Sequence, residues 1–426
     1  MRINLPELIE ENVITQQVAD HISDFYSRKK ESGVNKLFVI FGVLGALLVG
    51  LGILLIIAHN WDILSRNVKS VLAFVPMLGA QILCGWLLVR RSDSMAWKEG
   101  ASTFLFLSVG ASISLVSQIY HISGDLSTYL LVWMSLSLPV IYLMNSSFTS
   151  LLYLIGITWY SCEAGYWSHR IDQPYLYWIL LILAIPHYLM LIKRNSGSNY
   201  VRFHNLLIVI SLVISLGTVA RANSELIYIA YLSLFAIFLL IEGIPLFQKN
   251  KDHNLIFEIA GFSGSMIILF ILSFSRFWNH LSTMHHAVDQ LLVSREMIPV
   301  ILTTLIASVL LYRNIRTQTL SRIKPIAFLY LIYILIYVFL GSMPSLAIIF
   351  INMLILFLGV STIIIGLRLN HIGVLNLGLL IITILVICRF FDTELSFMLR
   401  GFLFIGVGIG FFLMNYRMLK SRKNEN

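Results

Sequence analysis

Charge is scarce in this chain. Asp, Glu, Lys and Arg together make up 12% of its 426 residues, about half the ~25% of a soluble domain. A water-facing globular surface is therefore excluded over most of the length. Cysteine is nearly absent. Cys84 and Cys388 lie in or at the end of apolar runs, Cys162 lies near a loop, and there is no C-x-x-C. That pattern excludes a disulfide framework and a thiolate metal site. No G-x-S-x-G, H-E-x-x-H, phosphate-loop or dinucleotide fingerprint occurs, so the common signatures of hydrolases, metalloproteases and nucleotide enzymes are missing. No resident cofactor or metal is expected. Runs of about ten alternating residues, the mark of a membrane barrel, are also missing. The first 36 residues are polar and mixed in charge, and the apolar run after them is too long for a signal peptide, so an uncleaved anchor is expected.

Apolar residues fill the space that charge leaves. They make up 58% of the chain, with a mean hydropathy of +0.85. Fourteen stretches are candidate spans, at about 37–58, 70–89, 102–120, 127–144, 148–162, 174–192, 204–220, 225–242, 256–274, 297–312, 325–340, 345–367, 372–388 and 400–416. Most approach the ~20 residues that cross roughly 30 Å of hydrocarbon as a helix. In lipid each segment must satisfy its own backbone hydrogen bonds, which favours helices. The expected fold is an all-α polytopic bundle of twelve to fourteen spans. Residues 1–36 form a small helical segment on the cytoplasmic side, residues 37–416 the membrane domain, and residues 417–426 a basic cytoplasmic tail.

The net charge of +9 does not point to nucleic acid, because the basic residues sit in loops. With the N-terminus inside and fourteen alternating spans, eight of the 30 basic residues fall outside: Arg66, Lys69, Arg170, Arg221, Arg276, Arg295, Arg389 and Arg400. The other 22 fall inside, as the positive-inside rule expects. In the first segment Thr15 is a candidate N-cap, and Val18, Ile22 and Phe25 share one helical face. This segment is the expected place for a protein partner; the bilayer itself is the other.

Polar residues inside the spans are few. Glycines 42, 45, 50 and 52, and again 401, 406, 408 and 410, suit close helix packing. Pro76, Pro139 and Pro186 fall within three even-numbered spans, where proline kinks a helix and where broken helices mark transporter sites. Glu242 and Glu258 flank one inner loop, and His187 lies near an inner end. In the longest outer loop, His285 and Asp289 have ligand spacing, but an amphipathic helix is the better account of that loop.

The outer ends carry the candidate site. Asn60, Trp61 and Asp62 follow the first span. Ser114, Gln118, His121 and Asp125 step by 4, 3 and 4 along the end of the third, which is one helical face. Arg389, Asp392 and Arg400 lie where the thirteenth span leaves and the fourteenth enters. The leading expectation is an outer-facing polar vestibule that transports or binds a small or amphiphilic substrate. One alternative is a membrane enzyme acting on a lipid-linked substrate, with Asp62, His121, Asp125 and Asp392 as acid, base or cation ligands. Another is a scaffold or sensor working through the N-terminal helices.

The segment LPELIEENVITQQVADHI, the glycine-rich first span and the exit Ala58, Asn60, Trp61, Asp62 with Lys69 beyond together resemble a bacterial family of predicted membrane proteins, domain of unknown function twenty-one fifty-seven. The resemblance is most specific over about the first 145 residues. Arg389 to Asp392 and Arg400 to Gly408 are similar to its terminal pattern. The resemblance implies an integral protein of the bacterial inner membrane and no established activity.

Overall fold

The structure, a computed structural model, describes residues 13–22, 63–90, 94–167, 175–220, 224–248, 251–283, 294–317 and 324–392, with single residues before 50 and between 401 and 416. The described residues contain helices and no strand. After a short helix over 16–22, which starts directly behind Thr15, thirteen longer helices follow. They are α1 (Arg66–Arg90), α2 (Met95–Tyr120), α3 (Leu126–Met144), α4 (Ser147–Cys162), α5 (Tyr175–Arg194), α6 (Asn199–Gly217) and α7 (Ile227–Leu240). Then come α8 (Lys251–Leu272), α9 (Ser275–Thr283), α10 (Met297–Thr317), α11 (Leu329–Leu340), α12 (Pro344–Arg368) and α13 (Ile372–Asp392). Among the described residues nine helices are long and apolar enough to cross a membrane, and two further apolar helices, Ile227–Gly243 and Pro325–Leu340, are shorter. The expected stretches from 70–89 to 372–388 each coincide with a helix. The stretch at 37–58 lies mostly outside the described residues, and that at 400–416 is described only in part.

The chain divides into two compact units. The first holds residues up to Asp125 together with Ser135–Thr149. Here α1 packs against α2. Phe74, Ile82, Trp86 and Val89 of α1 remain exposed, an outward apolar face that suits lipid. Pro76 does not break α1, which runs through it; α3 and α5 likewise continue through Pro139 and Pro186. In α1 a neighbouring helix bonds the backbone close to the proline. The Ser112 hydroxyl donates to the Ala73 carbonyl at 2.6 Å, three residues before the proline, as membrane helices commonly arrange.

At the other end of this unit Glu99 holds the start of α4. Its carboxylate accepts from the backbone N–H of Ser147 at 2.8 Å and of Phe148 at 2.9 Å, and from the Ser146 hydroxyl. A carboxylate at a helix N-terminus meets both the free N–H groups and the positive end of the dipole. Thr149 extends the network to Ser102 at 2.9 Å.

The second unit, Leu126–Met134 and Ser150 onward, is organised around α7. This helix touches α6, α8, α10 and α11 and buries Ile227, Ala230, Leu234, Phe235, Phe238 and Leu240 among others. A helix apolar on every side belongs in a core. At ~1.5 Å per residue α7 is also too short to span hydrocarbon alone. Single-turn helices at Ser224–Leu226 and Ile241–Gly243 lengthen it. Its last carbonyl region is closed by Asn314 of α10, whose amide donates to the Leu240 carbonyl at 2.9 Å. Only glycine fits beside that amide: a Cβ on Gly243 would lie 1.5 Å from Asn314 Oδ1.

α12 and α13 form a close pair. A Cβ on Gly366 would meet the Leu375 backbone nitrogen at 2.4 Å, and one on Gly378 the Ile363 nitrogen at 2.7 Å. Small residues thus set the approach, as in membrane helix pairs generally. A Cβ on Gly401, Gly406, Gly408 or Gly410 meets no described atom within 4 Å, and glycines 42, 45, 50 and 52 lie outside the described residues.

Candidate functional site

The polar end of α2 differs from its expected form. The helix stops at Tyr120, and His121 takes a left-handed conformation with φ 52°. Its backbone N–H and that of Ile122 both return to the Ser117 carbonyl, the latter at 3.0 Å, while the Ser117 hydroxyl donates to the Ile122 carbonyl at 2.9 Å. This is a helix-closing turn at a position that usually carries glycine. The helical period therefore holds for Ser114 and Gln118 only. His121 and Asp125 are placed by the turn and the segment after it, not by a shared helix face.

Ser114, Gln118 and His121 are exposed, and Asp125 is half-buried. Among the described residues the side chains of Ser114 and Gln118 make no hydrogen bond. Behind them the helix end is tied to α1. The Tyr120 and Ser70 hydroxyls are 3.1 Å apart, and the Arg66 guanidinium lies 4.5 Å from the Tyr120 ring centre, a cation–π distance. Asn60, Trp61 and Asp62, the other candidates near α1, lie outside the described residues, as does Arg400.

In the second unit Arg389 and Asp392 are engaged in holding a corner. Arg389 donates to Asp392 at 2.8 Å and to the Ser273 carbonyl at 2.5 Å. Asp392 in turn accepts from the backbone N–H of Ser275 at 3.1 Å and from its hydroxyl at 2.8 Å. The pair staples the end of α13 to the α8–α9 turn and caps α9. Their side chains are only 18% and 8% exposed, which fits a structural bond better than an open vestibule wall.

Three polar clusters were not legible as sites from the sequence. Glu99 caps the start of α4. His187 lies with its ring 6.4 Å from that of His204, and His204 bonds the Tyr200 carbonyl at 2.7 Å and the Ser150 hydroxyl at 3.1 Å; both histidines are buried. Glu225 is buried, with His280 Nδ1 3.1 Å from its carboxylate. Each cluster includes a partner about fifty residues away on another helix: Ser147 for Glu99, Ser150 for His204 and His280 for Glu225. The long outer loop is helical over α9, which buries Trp278 and packs Phe277 and Leu281 on the core. His285 and Asp289 lie outside the described residues.

The fold defines a polytopic helical membrane protein. Comparison with known proteins agrees: residues 6–150 match the family model described as predicted membrane protein (DUF2157), the same family and nearly the same stretch that the N-terminal motifs resemble. No curated protein and no solved structure matches the chain.

Proposed function

We propose that this protein binds or moves a small polar or amphiphilic substrate at the outer face of a bacterial inner membrane, with the polar end of α2 as its entry. The observation that carries this reading is Gln118, exposed on an apolar helix with no side-chain hydrogen bond among the described residues. An amide left unpaired against hydrocarbon is costly, and polar side chains at membrane depth generally face a cavity or a partner. Lys98 and Glu99 anchor the opposite end of α2. A crossing of ~20 residues from there ends near Tyr120, with Ser114 below the border. The charge distribution supports cytoplasmic termini and puts this end outside. Asp392 supports the enzyme alternative poorly, because its oxygens already accept from Ser275 and Arg389.

Thiol labelling tests the proposal. In a chain whose Cys84, Cys162 and Cys388 are replaced by Ser, Ser114→Cys, Gln118→Cys and Gly124→Cys are treated in whole cells with a charged, membrane-impermeant thiol reagent. All three are expected to label, with a soluble amphiphile slowing Gln118→Cys and Ser114→Cys. Labelling of Gly124→Cys alone would make the α2 end a lipid-facing collar and end the vestibule reading.

A further inference from the structure

Glu225 lies two residues before Ile227, where α7 begins, and its side chain is 9% exposed. The charge partner recorded for it is His280, whose Nδ1 is 3.1 Å from Oε1 and whose side chain is 55% exposed. The positive end of α7 supplies part of the compensation for a carboxylate there. Histidine carries charge only when protonated, and among side chains it is the type that loses that charge around neutral pH. No Lys or Arg pairs with Glu225 among the described residues. Among the described residues a buried carboxylate is thus left without a permanent counter-charge, a costly arrangement unless something else supplies one.

The surroundings indicate what that is. Five rings touch in series across α7, α9 and α11. Tyr228 meets Phe277 at 5.1 Å and Phe277 meets Trp278 at 5.1 Å. Trp278 meets Tyr333 at 6.3 Å, and Tyr333 meets Tyr337 at 6.2 Å. This series starts next to the Glu225–His280 pair, because Tyr228 follows Glu225 by three residues and Phe277 precedes His280 by three on α9. Tyr333 is fully buried, and its hydroxyl has no hydrogen-bond partner among the described residues. An orphaned buried hydroxyl marks a place where a polar group is missing. Among the described residues no three His, Cys, Asp or Glu gather to hold a metal ion. One carboxylate among aromatic rings suits instead a diffuse cation, drawn by the negative ring faces and the single charge.

We propose that Glu225, paired with His280 next to the ring series that begins at Tyr228 and Phe277, is a binding site for an ammonium group, with exposed His280 as the side chain that gives way when the cation enters. The group belongs either to a soluble amine or to a lipid headgroup, since this end of the second unit lies at a membrane border.

The test uses the full-length protein. In detergent, thermal unfolding is followed by tryptophan fluorescence with tetramethylammonium chloride, ethanolamine hydrochloride, or sodium chloride at equal ionic strength. A second arm compares nanodiscs of phosphatidylethanolamine with nanodiscs of phosphatidylglycerol. A rise in unfolding temperature with either amine, absent with sodium and lost in Glu225→Gln, supports a soluble amine. A rise confined to the phosphatidylethanolamine discs and lost in the same variant supports a headgroup. His280→Ala is expected to tighten binding several-fold, and it carries the test if Glu225→Gln fails to fold. An equal response to sodium, an amine response that Glu225→Gln retains, or no change in affinity with His280→Ala would overturn the proposal.

Discussion

Arg389 and Asp392 illustrate how a polar residue's role depends on what it already touches. Both bond across to the α8–α9 corner, so removing one leaves the other buried and uncompensated. Arg389→Met or Asp392→Asn is expected to cost about 3–5 kcal/mol, read as a lower midpoint of thermal unfolding in detergent. Replacing both at once should cost less than the sum, which a double-mutant comparison measures. A second prediction at this scale concerns Gly243. Its Ala variant drives a methyl onto the Asn314 amide and displaces the cap on Leu240. Destabilisation of about 1–3 kcal/mol is expected, largely relieved when Asn314 is shortened to Ala in the same chain. The sequence revealed the Arg389–Asp392 spacing but not its purpose. Its partners Ser273 and Ser275 lie more than a hundred residues earlier, and only the fold joins them. The α2 stripe failed for a different reason. A helical period extends only as far as the helix, and the turn-forming run Ser123, Gly124, Asp125 was the local sign that it ended early.

At the scale of elements, apolar periodicity located the helices well. Every expected stretch between 70 and 388 became one, because length and hydropathy suffice to mark a segment that must bury its backbone in lipid. They do not distinguish a helix facing lipid from one enclosed by protein. α7 and α1 both look like spans in the sequence, yet α7 is buried nearly all round while α1 leaves a wide apolar face outside. The glycine motifs show the same limit. Among the described residues α12 and α13 approach closely through Gly366 and Gly378, which no conspicuous run of glycines marks. Gly366→Leu should force these helices apart and lower the unfolding midpoint, while Gly79→Leu, at a position with open space around it, should leave it nearly unchanged.

For the molecule as a whole, the charge asymmetry makes a topological prediction. A reporter fused after Gln248 should report the cytoplasm, and one fused after Thr283 the outside. The reverse pair would invert the arrangement and with it the side on which Glu225 and the α2 end are offered. The soluble fraction of the chain is small, so both candidate binding regions depend on helix ends at the membrane border. That placement restricts ligands to those that reach an interface, whether from water or from within the leaflet.

The buried position of α7 has a consequence in time. Three of its four neighbours, α8, α10 and α11, follow it in the chain, and α11 ends at Leu340, one hundred residues after Leu240. At roughly 5–20 residues per second, synthesis leaves α7 without those walls for about five to twenty seconds. Lipid, the insertion machinery or a chaperone must stand in for three helices not yet made. Slowing translation between α7 and α11 would lengthen that exposure and leave more chains to proteolysis, although the finished protein would be unaltered.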